Sequence, residues 1–246
     1  MGAPFRQPEW SALALMEQPG AVTDAHRAFI DAGAEVIITN NYAVVPFHLG
    51  EEIFDARCEE LVEVSGRCAR AAADETTRIA GSLPPLFGSY EPDAVDAERA
   101  APMYRRIAAA LDPYVDLWLA ETLSTVSEIH TINAALDARG AAQPRWIAVA
   151  VPNTGDPALR SGETMADVAD AIIGRSVEAV LVNCSLPEQT GPAHRALREA
   201  LDARDAHHIR TGGYANAFPT VERAEYTAKT VIYDRRTDLD TARYAD

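Results

Sequence analysis

Short apolar runs alternate with longer amphipathic stretches along the chain, and this alternation predicts parallel strands joined by crossover helices. The runs at 34–40, 78–83, 116–122, 145–151, 179–185 and 209–214 are continuously apolar rather than alternating in polarity, as strands covered on both faces are. Between them, stretches near 21–32, 51–73, 97–111, 126–138, 164–174 and 192–203 place apolar residues at helical spacing. No linker, shift of composition or low-complexity tract divides the sequence. Residues 1–246 therefore read as one α/β domain built from βα units of ~30 residues.

Serial βα units fit either an open doubly wound sheet or a closed (β/α)8 TIM-type barrel. Polar or glycine residues follow nearly every predicted strand: Thr39-Asn40-Asn41-Tyr42, Gly81-Ser82-Leu83-Pro84-Pro85, Glu121-Thr122, Pro152-Asn153, Asn183-Cys184-Ser185 and Gly212-Gly213-Tyr214-Ala215-Asn216. A barrel brings all of these to one face, whereas an open sheet uses one or two at its switch point. The first strand is followed by no Gly-x-Gly-x-x-Gly turn. The barrel reading follows, with two of its eight strands unaccounted for.

Charge narrows the range of functions. The formal net charge of −15 repels phosphate backbones, and no arginine cluster interleaves with aromatics, so nucleic acid is not an expected partner. Lys229 is the single lysine, and no Gly-rich loop ends in Gly-Lys-Ser/Thr. Three cysteines, Cys58, Cys68 and Cys184, fit neither a disulfide framework nor a paired metal site, which suits a reducing compartment. The first residues lack the apolar core of a signal peptide and no run of ~18 apolar residues occurs, so no membrane partner is expected and the location is read as cytoplasmic. Oligomeric state has no signature in the sequence.

Cys58 and Cys68 fall ten residues apart on one predicted helix and are expected to pack in the core. Cys184, at a strand end, is either a small buried hydrophobe or a nucleophile or metal ligand. Glu121 follows Leu117-Trp118-Leu119-Ala120 and is either a buried acid at the rim that binds a substrate amine or a cap of the next helix. Trp10 and Tyr42 lie beside these segments, where a pair of rings can be core or can cradle a cation. The histidines carry no His-Glu-x-x-His or Ser/His/Asp spacing: His26, His130 and His194 fall on helices, His48 and His207-His208 in loops.

Taken in order, Trp10-Ser11-Ala12, His26 through Ala32-Gly33-Ala34 to Ile38-Thr39-Asn40-Asn41-Tyr42, Ala80 to Pro85, Glu121-Thr122-Leu123, Ser161-Gly162-Glu163, Val182-Asn183-Cys184-Ser185 and Gly212 to Asn216 resemble the homocysteine S-methyltransferase family. The resemblance implies a (β/α)8 barrel that holds Zn²⁺ through three cysteines, one after the sixth strand and an adjacent pair after the eighth. Cys184 matches the first. Glu121 matches the acid that holds homocysteine, and Trp10 and Tyr42 match aromatic rings that bind an onium methyl donor; Asn183 joins them as an expected substrate contact. An opening strand ending in Asp-Gly-Gly and a closing Gly-Gly-Cys-Cys have no counterpart here, so the chain is expected to be a barrel lacking its first and last strands.

The chemistry so implied is methyl transfer from an onium donor (S-methylmethionine, S-adenosylmethionine or a betaine) to the zinc-bound thiolate of homocysteine, giving methionine. Zinc suits the task because it deprotonates a thiol whose pKa is otherwise ~8.5, and it keeps one position open for the substrate sulfur. Two alternatives stand beside it: a Schiff-base aldolase or lyase using Lys229, and a catalytically inactive truncated relative acting as a binding module or without function.

Overall fold

The computed structural model describes residues 3–218 and 236–240. Six strands, β1 (Val36–Ile38), β2 (Arg78–Leu83), β3 (Leu117–Leu123), β4 (Arg145–Val149), β5 (Val177–Asn183) and β6 (Arg210–Tyr214), form one sheet in chain order, each pair of neighbours parallel. The sheet curls into a half-barrel. Among the described residues, β1 and β6 each have a strand on one side only.

Among the described residues eight α-helices accompany the strands: α1 (Ala12–Glu17), α2 (Pro19–Asp31), α3 (Pro46–Leu49), α4 (Glu51–Ala72), α5 (Ala97–Leu111), α6 (Val126–Ala138), α7 (Met165–Ile172) and α8 (Pro187–Asp202). Their apolar stripes and one face of the sheet make the large core, in which Phe54, Leu61, Ile107, Trp118 and Ile132 are almost wholly buried. A second, smaller cluster occupies the other face: Ala80, Leu117, Leu119 and Ala148, with Val36, Ile38, Trp146, Leu181 and Tyr214 packed against it. Two separate apolar layers on one sheet explain why the strands read as continuous apolar runs.

At the half-buried amino end of this inner face, Glu178 on β5 accepts a hydrogen bond from Trp146 Nε1 (3.0 Å) and pairs with Arg78 on β2 (3.2 Å). These contacts tie the amino ends of three strands together across the curl. Gly81 in β2 has a steric cause, since a Cβ there would come within 2.9 Å of Val115 and 3.1 Å of the Trp118 ring.

Local departures from the sequence reading have identifiable causes. The first strand is shorter than 34–40, because Ala34 N–H still closes the end of α2 on Phe29 O (3.0 Å) and Thr39 turns its hydroxyl onto Asn41 (2.6 Å). The last helix starts at Pro187, five residues before the expected 192. Pro187 has no N–H to satisfy in the first turn, and Pro192 is accommodated one turn further on. His48 lies in the short helix α3 rather than a loop, and α1 was not foreseen. Cys58 and Cys68 are buried in α4 as expected, and burial pushes the Cys58 thiol up to about 12. Lys229 lies outside the described residues.

Candidate functional site

The polar residues that follow the strands converge at one rim of the curl, around Glu121 and Cys184. Glu121, 6% exposed near the end of β3, accepts a hydrogen bond from Ser82 Oγ on Oε1 (2.6 Å) and from Tyr214 O–H on Oε2 (3.3 Å). Side chains from β2, β3 and β6 thus meet on one carboxylate. Burial pushes the Glu121 carboxyl up to about 7, opposed by these two hydrogen bonds to its charged form. It caps no helix. The cap of α6 is Thr125, in a reciprocal box with Glu128, whose carboxylate accepts from the N–H groups of Ser124 and Thr125 (2.9 and 3.0 Å).

Cys184 directly follows β5 and is partly exposed. Its N–H donates to Tyr214 O (3.1 Å) and its carbonyl accepts from Asn216 Nδ2 (2.8 Å), while Ser185 Oγ accepts from Val151 N–H (2.9 Å). The thiol is pushed up to about 11 by burial and by the nearby Glu121 charge; Thr122, Tyr90 and the positive field of Arg160 pull the other way. The side chain of Thr122 also reaches Tyr42, whose hydroxyl shares a hydrogen bond with Ser89 Oγ (2.6 Å). Trp10 packs edge-on against Tyr42 with ring centres 5.9 Å apart and stacks on His48 at 5.7 Å.

Backbone strain collects in this place. Four of the five non-glycine residues with left-handed φ among the described residues are Trp10 (49°), Tyr90 (68°), Thr122 (61°) and Cys184 (48°). A β-branched threonine there costs about 1–3 kcal/mol and persists only where its surroundings hold it. Asn183 does the holding. It is wholly buried, its Oδ1 accepts from Thr122 N–H (3.0 Å), and its Nδ2 donates to Thr122 Oγ1 (2.9 Å).

The expected site residues Glu121, Cys184, Asn183, Tyr42 and Trp10 therefore come together through Thr122 and Ser82, from segments more than a hundred residues apart. The sequence reading assigned no part to Thr122, Ser89, Tyr90 and Arg160. Ser82, Thr122 and Tyr214 were visible as strand-end residues; Ser89, Tyr90 and Arg160 lie in loops whose pattern carries no signal.

With this geometry in place, comparison with known sequences becomes decisive. The sequence profile of homocysteine S-methyltransferases matches residues 3–245. This chain belongs to the homocysteine S-methyltransferase family. Homocysteine S-methyltransferase 1 of Zea mays is 28% identical over 217 residues, covering 76% of this chain and 66% of the relative. The Escherichia coli homocysteine S-methyltransferase is 29% identical over 204 residues, covering 75% of this chain and 64% of its own length. The chain thus spans slightly less than two thirds of these family members. The crystal structure of the homocysteine methyltransferase MmuM from Escherichia coli, in its metallated form, matches the fold with a TM-score of 0.70 at 25% identity, over 87% of this chain and 86% of that one.

Zinc can be tested against the donor set. Among the described residues no group of three or more His, Cys, Asp or Glu side chains stands where it could hold a metal ion. No cysteine or histidine follows His208 in the 246 residues. Cys184 offers one thiol at the rim, which by itself does not make a zinc site.

Proposed function

We propose that this chain is the substrate-binding body of an enzyme that methylates the thiol of homocysteine, drawing the methyl group from an onium donor and giving methionine. The observation that carries the reading is the Ser82–Glu121–Tyr214 cluster beside Cys184 at the carboxyl ends of β2, β3, β5 and β6. A carboxylate buried among hydroxyls is a receptor for a ligand ammonium. The incoming cation restores the charge that burial disfavours, and Ser82 and Tyr214 fix the direction of approach. The rings of Trp10 and Tyr42 offer π faces to a sulfonium or quaternary ammonium donor. Attraction to those faces ends when the donor becomes neutral. In the transfer a sulfur lone pair of homocysteine forms the new S–CH₃ bond, the donor's onium bond to that carbon breaks, and the thiol proton leaves to solvent. Asn183 serves the substrate through Thr122, whose backbone and hydroxyl it fixes.

In this reading the six strands are the second to seventh strands of a single (β/α)8 barrel domain, the substrates are small molecules, and the location is cytoplasmic. Cys184 is offered as the one zinc ligand from this chain, and the adjacent cysteine pair that the family resemblance implies has no counterpart in it. The test is the encoding DNA beyond the last codon of this sequence, together with the protein it specifies. An in-frame adjacent cysteine pair, and methionine formed from homocysteine with S-methylmethionine, S-adenosylmethionine or betaine after zinc loading, are the expected results. No pair, or no methionine from any of the three donors, removes the reading.

The lone thiol favours one alternative, a binding module without turnover. It is distinguished by homocysteine binding that persists when no methionine is formed.

A further inference from the structure

The pairing of β1 with β2 runs in register from Val36 opposite Arg78 to Ile38 opposite Ala80, and Thr39 N–H adds one bond to Ala80 O (3.0 Å) before the backbone turns away. Had the parallel ladder gone on, Asn40 would stand opposite Ser82, whose N–H would meet the carbonyl of residue 39 and whose C=O would meet the N–H of residue 41. The side chains of those same two residues take these places. Ser82 N–H donates to Thr39 Oγ1 (3.0 Å), Asn41 Nδ2 donates to Ser82 O (3.0 Å), and Thr39 Oγ1 donates to Asn41 Oδ1 (2.6 Å), which closes a ring. Thr39, Asn41 and Ser82 are all buried.

With its ladder continued by side chains, the backbone after β1 is released to turn, so that Asn40 Nδ2 reaches Ser11 O (3.2 Å) and Tyr42 meets the Trp10 ring. Ser82 is fixed at the same time by both of its backbone polar groups. Its hydroxyl oxygen stands one bond beyond Cβ and follows the backbone directly, and it donates to Glu121 Oε1 (2.6 Å). A carbonyl only accepts and a hydroxyl carries one proton, so the residue between Ser82 O and Thr39 Oγ1 must offer a donor and an acceptor side by side. The amide of Asn41 does so. Aspartate would lose the donor, and alanine would lose both.

We propose that Asn41 is a positioning residue of the substrate site: through Ser82 it holds the Glu121 carboxylate in the direction from which a ligand ammonium is received. It is wholly buried and acts through Ser82 rather than on the ligand. The assignment rests on the reading of Glu121 as the receptor for the amine of homocysteine. Loss of the Asn41 amide strands Ser82 O in the interior and removes the partner of the Thr39 hydroxyl, so the backbone of Ser82 shifts to find other partners. A bond of 2.6 Å to Glu121 does not survive such a shift unchanged.

Calorimetric titration of the full chain under reducing conditions tests it, with homocysteine and with 4-sulfanylbutanoic acid, which has the same thiol and carboxylate but no amine. Binding is read rather than turnover, so the answer does not depend on a metal. The unsubstituted protein is expected to prefer homocysteine. Asn41→Ala is expected to weaken homocysteine by about tenfold and to leave the amine-free thiol unchanged. Thr39→Val opens the same ring with little change of shape and is expected to act in the same selective way, so it carries the test if thermal melting shows that Asn41→Ala does not fold. In a Ser82→Ala background neither change is expected to lower homocysteine affinity further, because the path to Glu121 is already cut. Equal weakening of both thiols, no weakening, or a further full loss in the Ser82→Ala background overturns the role of Asn41 and leaves the substrate reading intact. Failure of the unsubstituted protein to bind homocysteine, or to prefer it over the amine-free thiol, overturns the substrate reading and the Asn41 assignment with it.

Discussion

A carboxylate that titrates near neutrality makes Glu121 a source of pH dependence in stability as well as in binding. Its folded value of about 7 lies above its ordinary value of 4.5, so between those pH values the folded chain holds a proton that the unfolded chain has released. Stability from this group is complete below about pH 4.5 and is lost as pH rises to about 7, by an amount on the order of 3 kcal/mol. Urea unfolding at pH 5 and pH 8 checks this: the drop is expected to be larger in the unsubstituted protein than in Glu121→Gln, and equal drops would place Glu121 in a wetter environment. Under the proposed function the same substitution is expected to raise KM for homocysteine, because a neutral amide loses the charge-assisted contact to the amine. An unchanged KM would leave Glu121 a structural role. For the aromatic pair, Tyr42→Ala or Trp10→Ala is expected to weaken the onium donor by about 0.5–2 kcal/mol and homocysteine less. Comparable losses for both substrates would point to damage of the Trp10–Tyr42–His48 stack.

At the scale of elements, the ends of β3 and β5 are joined by the two hydrogen bonds between Asn183 and Thr122, and this junction holds the strained backbone that aims the site. Asn183→Ala is expected to destabilise the chain by about 1–3 kcal/mol, since it strands a buried N–H and hydroxyl, and relaxation of the strained φ offsets only part of that cost. Asn183→Asp keeps the acceptor for Thr122 N–H and is expected to cost less. Urea midpoints of the two variants check this, and Asn183→Ala costing no more than Asn183→Asp would remove the account. The sequence made the strands themselves legible, and Arg78–Leu83, Ala97–Leu111 and Val126–Ala138 fall where their apolar spacing places them. It did not make the junction legible. Asn183 is expected from the sequence as a substrate contact, and only the fold shows that both ends of its amide bond Thr122.

For the whole molecule, residues 1–246 alone are expected to bind zinc weakly or not at all and to transfer no methyl group to homocysteine. One thiolate and water do not compete with chelators, because each missing ligand removes both a bond and its preorganisation. Metal analysis after dialysis against a mild chelator checks it. About one zinc per chain, lost on Cys184→Ser, would show that further ligands are recruited from elsewhere in the sequence. The outer side of β1 meets a groove lined by Phe5, Val22, His26, Phe29, Val36 and Ile38, in which Phe29 is 61% exposed and the buried His26 Nε2 has no hydrogen-bond partner among the described residues. Together with an edge strand, such a surface is a liability for self-association.

The sequence by itself determined the class of fold, the order of its parallel strands and the residues that could do chemistry, because apolar runs and strand-end polar clusters are local patterns that burial on two faces imposes on the chain. It also placed Cys58 and Cys68 in the core, since helical spacing fixes which face of α4 they share. Only the tertiary structure decided that Glu121 is gripped by Ser82 and Tyr214 rather than capping α6, that Thr122 links Tyr42 to Cys184, and that a turn pinned by Ser161 and Glu163 sets Arg160 beside Tyr90. These contacts join strand ends and loops that are 37 to 93 residues apart and are chosen by the curl of the sheet, a property of all six strands together that no local stretch encodes.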